Sequence, residues 1–306
     1  MKERVVTFGP GGILVGVITE PDEIAGEAVV VMSNVGLNHR VGPYRIWVEL
    51  ARRLAARGIP SLRFDVSGLG DSEPRAALLS DIDRSVLDLT DALDFLSQTN
   101  VPRFILVGLC SGTDNTHIVA TRDERVTGAV FLDGYTYLTT GHWLRKRVLR
   151  WVSIPHWKRG LRRRFPQMFG IDGMKSEEQI FNREYPSRDQ FEADLTKIVA
   201  RGGDLLYVYS GETTYAYRNQ FWDWMNRKDF DGMVTVEHYP KADHTYTFRA
   251  EREVMLSRLE RWIVHVAGRK APPASAAVMQ PMQPRDRMDS IAPDVDERER
   301  SVSSSR

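Results

Sequence analysis

The spacing of apolar positions changes period several times along the first 134 residues. Two short β-type runs, Val5-Val6-Thr7-Phe8 and Ile13-Leu14-Val15-Gly16-Val17-Ile18, flank the turn Gly9-Pro10-Gly11-Gly12, which predicts a hairpin over residues 4–19. Ala28-Val29-Val30-Val31-Met32 is apolar without a break, the pattern of a strand buried on both faces. From Tyr44 to Arg57 the spacing becomes helical, with Ile46, Leu50, Leu54 and Ala55 on one stripe and Gly58 as the stop. Pro60 to Val66 reads as a strand, and Ser80 to Ser97 as a helix with Asp81 and Asp83 in its first turn, where the helix dipole favours acids. A strand from Val101 to Cys110, a helix from about Ser111 and a strand from Val126 to Leu132 complete this part.

The alternation then breaks. Residues 135–200 are aromatic, basic and irregular. It resumes with the strand Leu205-Leu206-Tyr207-Val208-Tyr209, a helix near Tyr215 to Arg227, the strand Val234 to His238, and a final helix from about Phe248 to Val266. Strands alternating with helices predict an α/β fold built on a mostly parallel sheet with helices on both faces. The expected organisation is a core in two parts, 1–134 and 201–269, with a helical cap inserted at 135–200. The tail, 270–306, is rich in Ala, Pro, Ser, Arg and Asp and cannot bury a core, so it is expected to be disordered.

Composition narrows the function classes. The chain has 306 residues, 42% hydrophobic and 27% charged, which fits a globular protein with a large core. A net charge of +1 gives no global field for nucleic acid. The single cysteine excludes an intrachain disulfide and any multi-cysteine metal site, and no cofactor or metal is expected. No apolar signal core opens the chain and no run approaches the roughly 18–20 apolar residues of a membrane span, so a cytoplasmic protein is expected.

That cysteine occupies a telling place. Phe104-Ile105-Leu106-Val107-Gly108-Leu109-Cys110-Ser111-Gly112 is a buried strand running into a glycine-flanked turn, the setting in which a strand-to-helix elbow exposes a nucleophile. Centring the turn on Ser111 would put Leu109 and Thr113 at the two small positions, so the register selects Cys110. A helix beginning just after it aims free N–H groups at the sulfur and favours the thiolate. The backbone N–H of Ser111 is also placed to donate to an oxyanion.

Together with Asp65-Val66-Ser67-Gly68-Leu69-Gly70-Asp71-Ser72 and the late histidine of Tyr239-Pro240-Lys241-Ala242-Asp243-His244-Thr245-Tyr246, this elbow resembles the α/β-hydrolase superfamily, in particular its serine-aminopeptidase-like branch. The stretch Ser33-Asn34-Val35-Gly36-Leu37-Asn38-His39-Arg40-Val41-Gly42-Pro43 looks like members associated with exosortase gene clusters. The resemblance covers about residues 4–268. It implies a second oxyanion donor from the backbone at Asn34 or Val35, where the family usually carries His-Gly. It implies a structural role for the loop at Asp65, with that carboxylate as a hydrogen-bond acceptor, and places the catalytic base at His244. The other candidate histidines, His238, His117, His142, His156 and His265, are expected to be structural or at the surface. The acid stays open between Asp133, at the end of the strand after the elbow helix, and Glu212, in Ser210-Gly211-Glu212-Thr213-Thr214, where the family's usual aspartate position is filled by threonine. His39 and Arg40 lie near enough to the second donor to contact substrate.

The expected activity is hydrolysis of an ester or thioester by a Cys-His-acid covalent acyl-enzyme mechanism on a small-molecule or carrier-linked acyl substrate. Amides suit a thiolate less well, because the thiolate leaves the tetrahedral intermediate more readily than an amine does. Two rivals are an acyltransferase using the same cysteine and a degenerate hydrolase serving as a binding or scaffold protein. Residues 145–164 hold nine Arg and Lys among Trp143, Trp151 and Trp157, which fits an anionic ligand, an anionic membrane surface or a solvated helix face.

Overall fold

A computed structural model describes residues 1–34, 36, 38–76, 78–98, 103–142, 144, 185–211, 213, 215, 217–230 and 232–269. Its strands are β1 (Lys2–Phe8), β2 (Leu14–Glu20), β3 (Ala28–Met32), β4 (Ser61–Phe64), β5 (Arg103–Leu109), β6 (Val126–Leu132), β7 (Asp204–Ser210) and β8 (Val234–Tyr239). They form one sheet in the order β1-β2-β4-β3-β5-β6-β7-β8. Strand β2 runs antiparallel to both β1 and β4, and the remaining pairs are parallel. The mostly parallel sheet is the one the alternating pattern predicts, and the fold is the α/β-hydrolase fold that the resemblance implies.

The unbroken apolar runs follow from covering the sheet on both faces. Side chains alternate across a strand, and β5 shows the result. Phe104 and Leu106 enter one core with Val86, Leu89 and Leu93, whereas Ile105, Val107 and Leu109 enter the other with Leu50, Leu54 and Leu259. The first core is covered by α2 (Asp81–Ser97), α3 (Gly112–Arg122) and α4 (Arg188–Ala200), the second by α1 (Ile46–Ala55) and α5 (Arg249–Ala267). Ser80 caps α2 by accepting the N–H of Asp83 at 3.2 Å, and Ser187 caps α4 by accepting that of Gln190 at 3.1 Å.

Of the segment expected as a cap, both ends are described. Its C-terminal end is α4, which packs on α3 and buries Phe191, Leu195 and Ile198 in the first core. Trp143 and residues 145–184, with the basic stretch, Trp151 and Trp157, lie outside the described residues, as does the tail from 270. The helix expected near Tyr215 to Arg227 is not formed. The chain makes two short 3-10 turns instead, Gln220–Asp223 and Arg227–Phe230. Aromatic packing explains this. Tyr215 stacks on Tyr209 at 4.0 Å, while Phe221 meets Tyr207 at 4.9 Å. Burying Tyr215, Phe221, Met225 and Phe230 together needs spacings of six, four and five residues, which no single helical stripe supplies. Among the described residues, no helix is long and apolar enough to cross a membrane.

Because β3, β5, β6, β7 and β8 are parallel, their C-terminal ends share one edge of the sheet. Ligands bind outside the carboxyl ends of strands in such sheets. Ser33, Cys110, Asp133, Ser210 and the loop after β8 all lie along that edge.

Candidate active site

The turn at Cys110 is built by close approach. Cys110 follows β5 directly and has φ 56°, a left-handed conformation that costs a non-glycine residue about 1–2 kcal/mol. It is held there by its own N–H, which donates to the Leu132 carbonyl at 3.0 Å, and by its carbonyl, which accepts the Thr113 N–H at 3.0 Å. The flanking glycines are required for contact. A Cβ on Gly108 would lie 2.4 Å from the Gly112 carbonyl oxygen, and one on Gly112 would lie 2.7 Å from the Asn34 carbonyl oxygen. The small-x-Cys-x-small pattern thus lets strand, helix and the loop after β3 pack without a side chain between them. Cys110 itself remains partly exposed.

His244 comes from the loop after β8. That loop is pinned to β7, with Gly211 N–H donating to the Ala242 carbonyl at 2.9 Å. Asp243 accepts the Thr247 N–H and the hydroxyls of Thr245 and Thr247 at 2.7–2.8 Å. Burial would raise the Asp243 carboxyl, but these hydrogen bonds prevail and hold it below the usual carboxylate value. Tyr246, at φ 53° and fully buried, wedges the loop into the second core, and Arg252 donates to the carbonyls of Tyr246 and Thr247 at 2.9 Å each.

The structure brings Asp133 to this histidine. Asp133 follows β6, is 2% exposed, and has φ 54°, with its N–H on the Val208 carbonyl at 2.8 Å. Its Oδ2 lies 2.8 Å from His244 Nδ1. Ser210, at the end of β7, donates to the same carboxylate twice, from its N–H at 2.6 Å and from its hydroxyl at 2.8 Å. The buried charge is therefore fully supplied with donors. Burial alone would lower the His244 pKa. Hydrogen bonds to Asp133 and to the Cys110 sulfur, reinforced by the negative charges of both, push it up to about 10. With Nδ1 on Asp133, Nε2 is the nitrogen left for the sulfur.

The loop after β3 closes the other side. Asn34 is buried and anchored twice, its Oδ1 accepting the Val66 N–H and its Nδ2 donating to the Asn38 carbonyl, each at 2.7 Å. Gly36 N–H donates to the Ser111 hydroxyl at 3.0 Å. Val35, the other expected donor, and Glu212, the other expected acid, lie outside the described residues.

Arg40, expected at the substrate, has two acidic partners. Its guanidinium pairs with Asp65 and with Asp71, the latter at 2.6 Å, and its N–H donates to Asp65 Oδ1 at 2.6 Å. Two carboxylates close to one guanidinium hold it within the protein. Fully buried Asp65 also accepts the Asp71 N–H at 3.1 Å, so it ties two loops together. His39 is exposed. His238 sits on β8 against the Tyr215 ring, where burial lowers its pKa. His117 is buried in α3, paired with Asp194 at 2.8 Å and stacked on Phe191. His142 is buried, His265 lies on α5, and His156 lies outside the described residues. Sequence reasoning missed Ser210 and Tyr246. Both stand in segments it singled out, but their roles depend on partners from other strands. Among the described residues, no cluster of three or more His, Cys, Asp or Glu is arranged to hold a metal ion.

Comparison with known proteins agrees with this architecture. An esterase from Pyrococcus furiosus superposes with a TM-score of 0.54 at 16% identity, covering 87% of this chain and 91% of its own. The esterase domain of a Rhodothermus marinus protein gives 0.52 at 16% identity, covering 86% and 99%. A dienelactone hydrolase from Anabaena variabilis gives 0.51 at 15% identity, covering 86% and 97%. No curated protein matches the chain. Residues 35–296 match the model of the Alpha/beta hydrolase family, well over half the length, and on this evidence the chain belongs to that family.

Proposed function

We propose that the chain hydrolyses esters or thioesters through a covalent acyl-enzyme on Cys110. The observation that carries this reading is the line Asp133–His244–Cys110, in which the imidazole sits between a buried carboxylate and the elbow sulfur, the two together pushing its pKa up to about 10. The attacking species is the thiolate, and the imidazolium beside it offsets that charge.

In the first step the sulfur adds to the acyl carbonyl, and the carbonyl π electrons move to oxygen. The Ser111 N–H and a backbone N–H of the Asn34–Val35 segment stabilise that oxyanion. As the intermediate collapses, the bond to the leaving group breaks and His244 Nε2 gives its proton to the departing oxygen or sulfur. Acylation removes the negative charge on sulfur, one of the causes holding the His244 proton. The imidazole left behind is therefore a better base for the second step, in which it takes a proton from water as the water attacks the thioester. Collapse expels the Cys110 thiolate and restores the ion pair. Throughout, Asp133 keeps Nδ1 protonated and the ring oriented.

The substrate class is a small-molecule or carrier-linked ester or thioester. The esterases among the structural neighbours support it. The test is alkylation followed by turnover. Native protein is expected to take up one iodoacetamide at neutral pH, and to hydrolyse p-nitrophenyl acetate with a burst of one nitrophenolate per chain that alkylation abolishes. A thiol that labels only after denaturation would overturn the assignment.

A further inference from the structure

Serine at position 111 is not explained by helix capping. It stands at the N-cap of α3, but its hydroxyl makes no capping bond to that helix. Instead its Oγ accepts the N–H of Gly36, from the loop after β3, at 3.0 Å. The other described anchors of that loop bind it to itself and to the residues after β4, through Asn34 with Asn38 and Val66 and through Arg40 with Asp65. The Ser111 bond differs in kind, because it joins the loop to the elbow that carries the nucleophile. It acts beside a close approach that leaves no slack, where the Asn34 carbonyl faces the bare Cα of Gly112.

We infer that Ser111 is a positioning residue whose hydroxyl sets the loop after β3 against the elbow, so that the backbone N–H groups of the two segments converge on one oxyanion. This rests on the acyl-enzyme reading given above. Oxyanion donors act only when aimed at the place where charge develops, so a small displacement of one segment weakens the transition state while leaving the ground state intact. The bond involves neither Asp133 nor His244, so the thiolate–imidazolium pair does not depend on it. Reactions of Cys110 that create an oxyanion therefore need the Ser111 hydroxyl, and those that create none do not.

Iodoacetamide and p-nitrophenyl acetate separate the two. Alkylation forms the carbon–sulfur bond as iodide leaves and passes through no oxyanion, whereas acylation passes through one. The full chain with Ser111→Ala is expected to lose about tenfold in kcat on p-nitrophenyl acetate, with KM and the iodoacetamide labelling rate each within about twofold of wild type. Ser111→Thr, which keeps the hydroxyl, is expected to regain most of the lost kcat. An unchanged kcat in Ser111→Ala would overturn the assignment, and so would a parallel loss of labelling, which would place the hydroxyl in the fold of the elbow itself. If wild-type protein labels only once denatured, the acyl-enzyme reading fails and this one with it. Labelled wild type beside a fully active Ser111→Ala defeats the Ser111 role alone.

Discussion

Replacing Asp133 by asparagine keeps the shape of the site and reverses its hydrogen-bond logic. In the wild type, Oδ1 accepts the Ser210 N–H at 2.6 Å, while Oδ2 accepts the Ser210 hydroxyl and His244 Nδ1 at 2.8 Å each. An amide can keep its oxygen on the Ser210 N–H, but its NH2 then occupies the Oδ2 position. The Ser210 hydroxyl rotates to accept from it. His244 Nδ1 can accept only by giving up its proton, which leaves a neutral imidazole with its remaining proton on Nε2. The variant therefore loses a charge-assisted bond and a full negative charge beside the ring. An opposite charge at such range shifts a titration by about 1–3 pH units. A shift of about two units here corresponds to about 2.7 kcal/mol of lost preference for the imidazolium. The assay is the pH dependence of iodoacetamide labelling and of the p-nitrophenyl acetate burst. The alkaline fall of the burst is expected to move down by about two pH units in Asp133→Asn, while labelling at neutral pH, where the imidazolium still prevails, changes far less. If the variant keeps the wild-type alkaline limb, Asp133 does not hold the His244 proton and the reasoning fails.

Three further outcomes follow from the geometry. His244 is raised to about 10, so the acid form persists as pH rises and is lost through that value, and the wild-type burst rate should fall near pH 10; a fall centred near 6.5 would show an unperturbed imidazole. Cys110→Ser should lower kcat by about 10²-fold or more on p-nitrophenyl acetate, because a hydroxyl does not rest ionised and no longer supplies the charge that holds the imidazole proton. Gly108→Ala should cost about 3 kcal/mol in urea unfolding, since its methyl would meet the Gly112 carbonyl oxygen at 2.4 Å and Thr116 Oγ1 at 2.6 Å, and the Gly112 backbone cannot yield cheaply; a cost under about 1 kcal/mol would contradict that packing.

What the sequence made legible, and what it did not, divides by the range of the interaction. The elbow could be read because Gly108, Cys110 and Gly112 enforce it within five residues, through contacts of strand and helix with each other. The sheet could be read because burial on both faces leaves unbroken apolar runs such as β5. The acid could not be decided between Asp133 and Glu212, because local pattern does not report which carboxylate a histidine 111 positions further on will meet. Ser210 escaped notice for the same reason, as its partner arrives from the neighbouring strand. The failed helix near Tyr215 to Arg227 shows the opposite error. Its aromatic residues pack around Tyr207 and Tyr209 at spacings set by the sheet and not by a helix. The ion pairs of Arg40 were hidden in the same way, because Asp65 and Asp71 reach it from the loop after β4.

Strand β8 ends the sheet, paired with β7 alone among the described strands, while β5 lies near its middle between β3 and β6. The sulfur is thus carried by one of the best-clamped parts of the molecule and its proton partner by a margin that can fray. Local opening free energies differ across a structure, and edges open before centres do. Peeling β8 from β7 would withdraw the imidazole and leave a dormant thiol in an otherwise folded protein, so inactivation should precede melting and reverse on re-pairing.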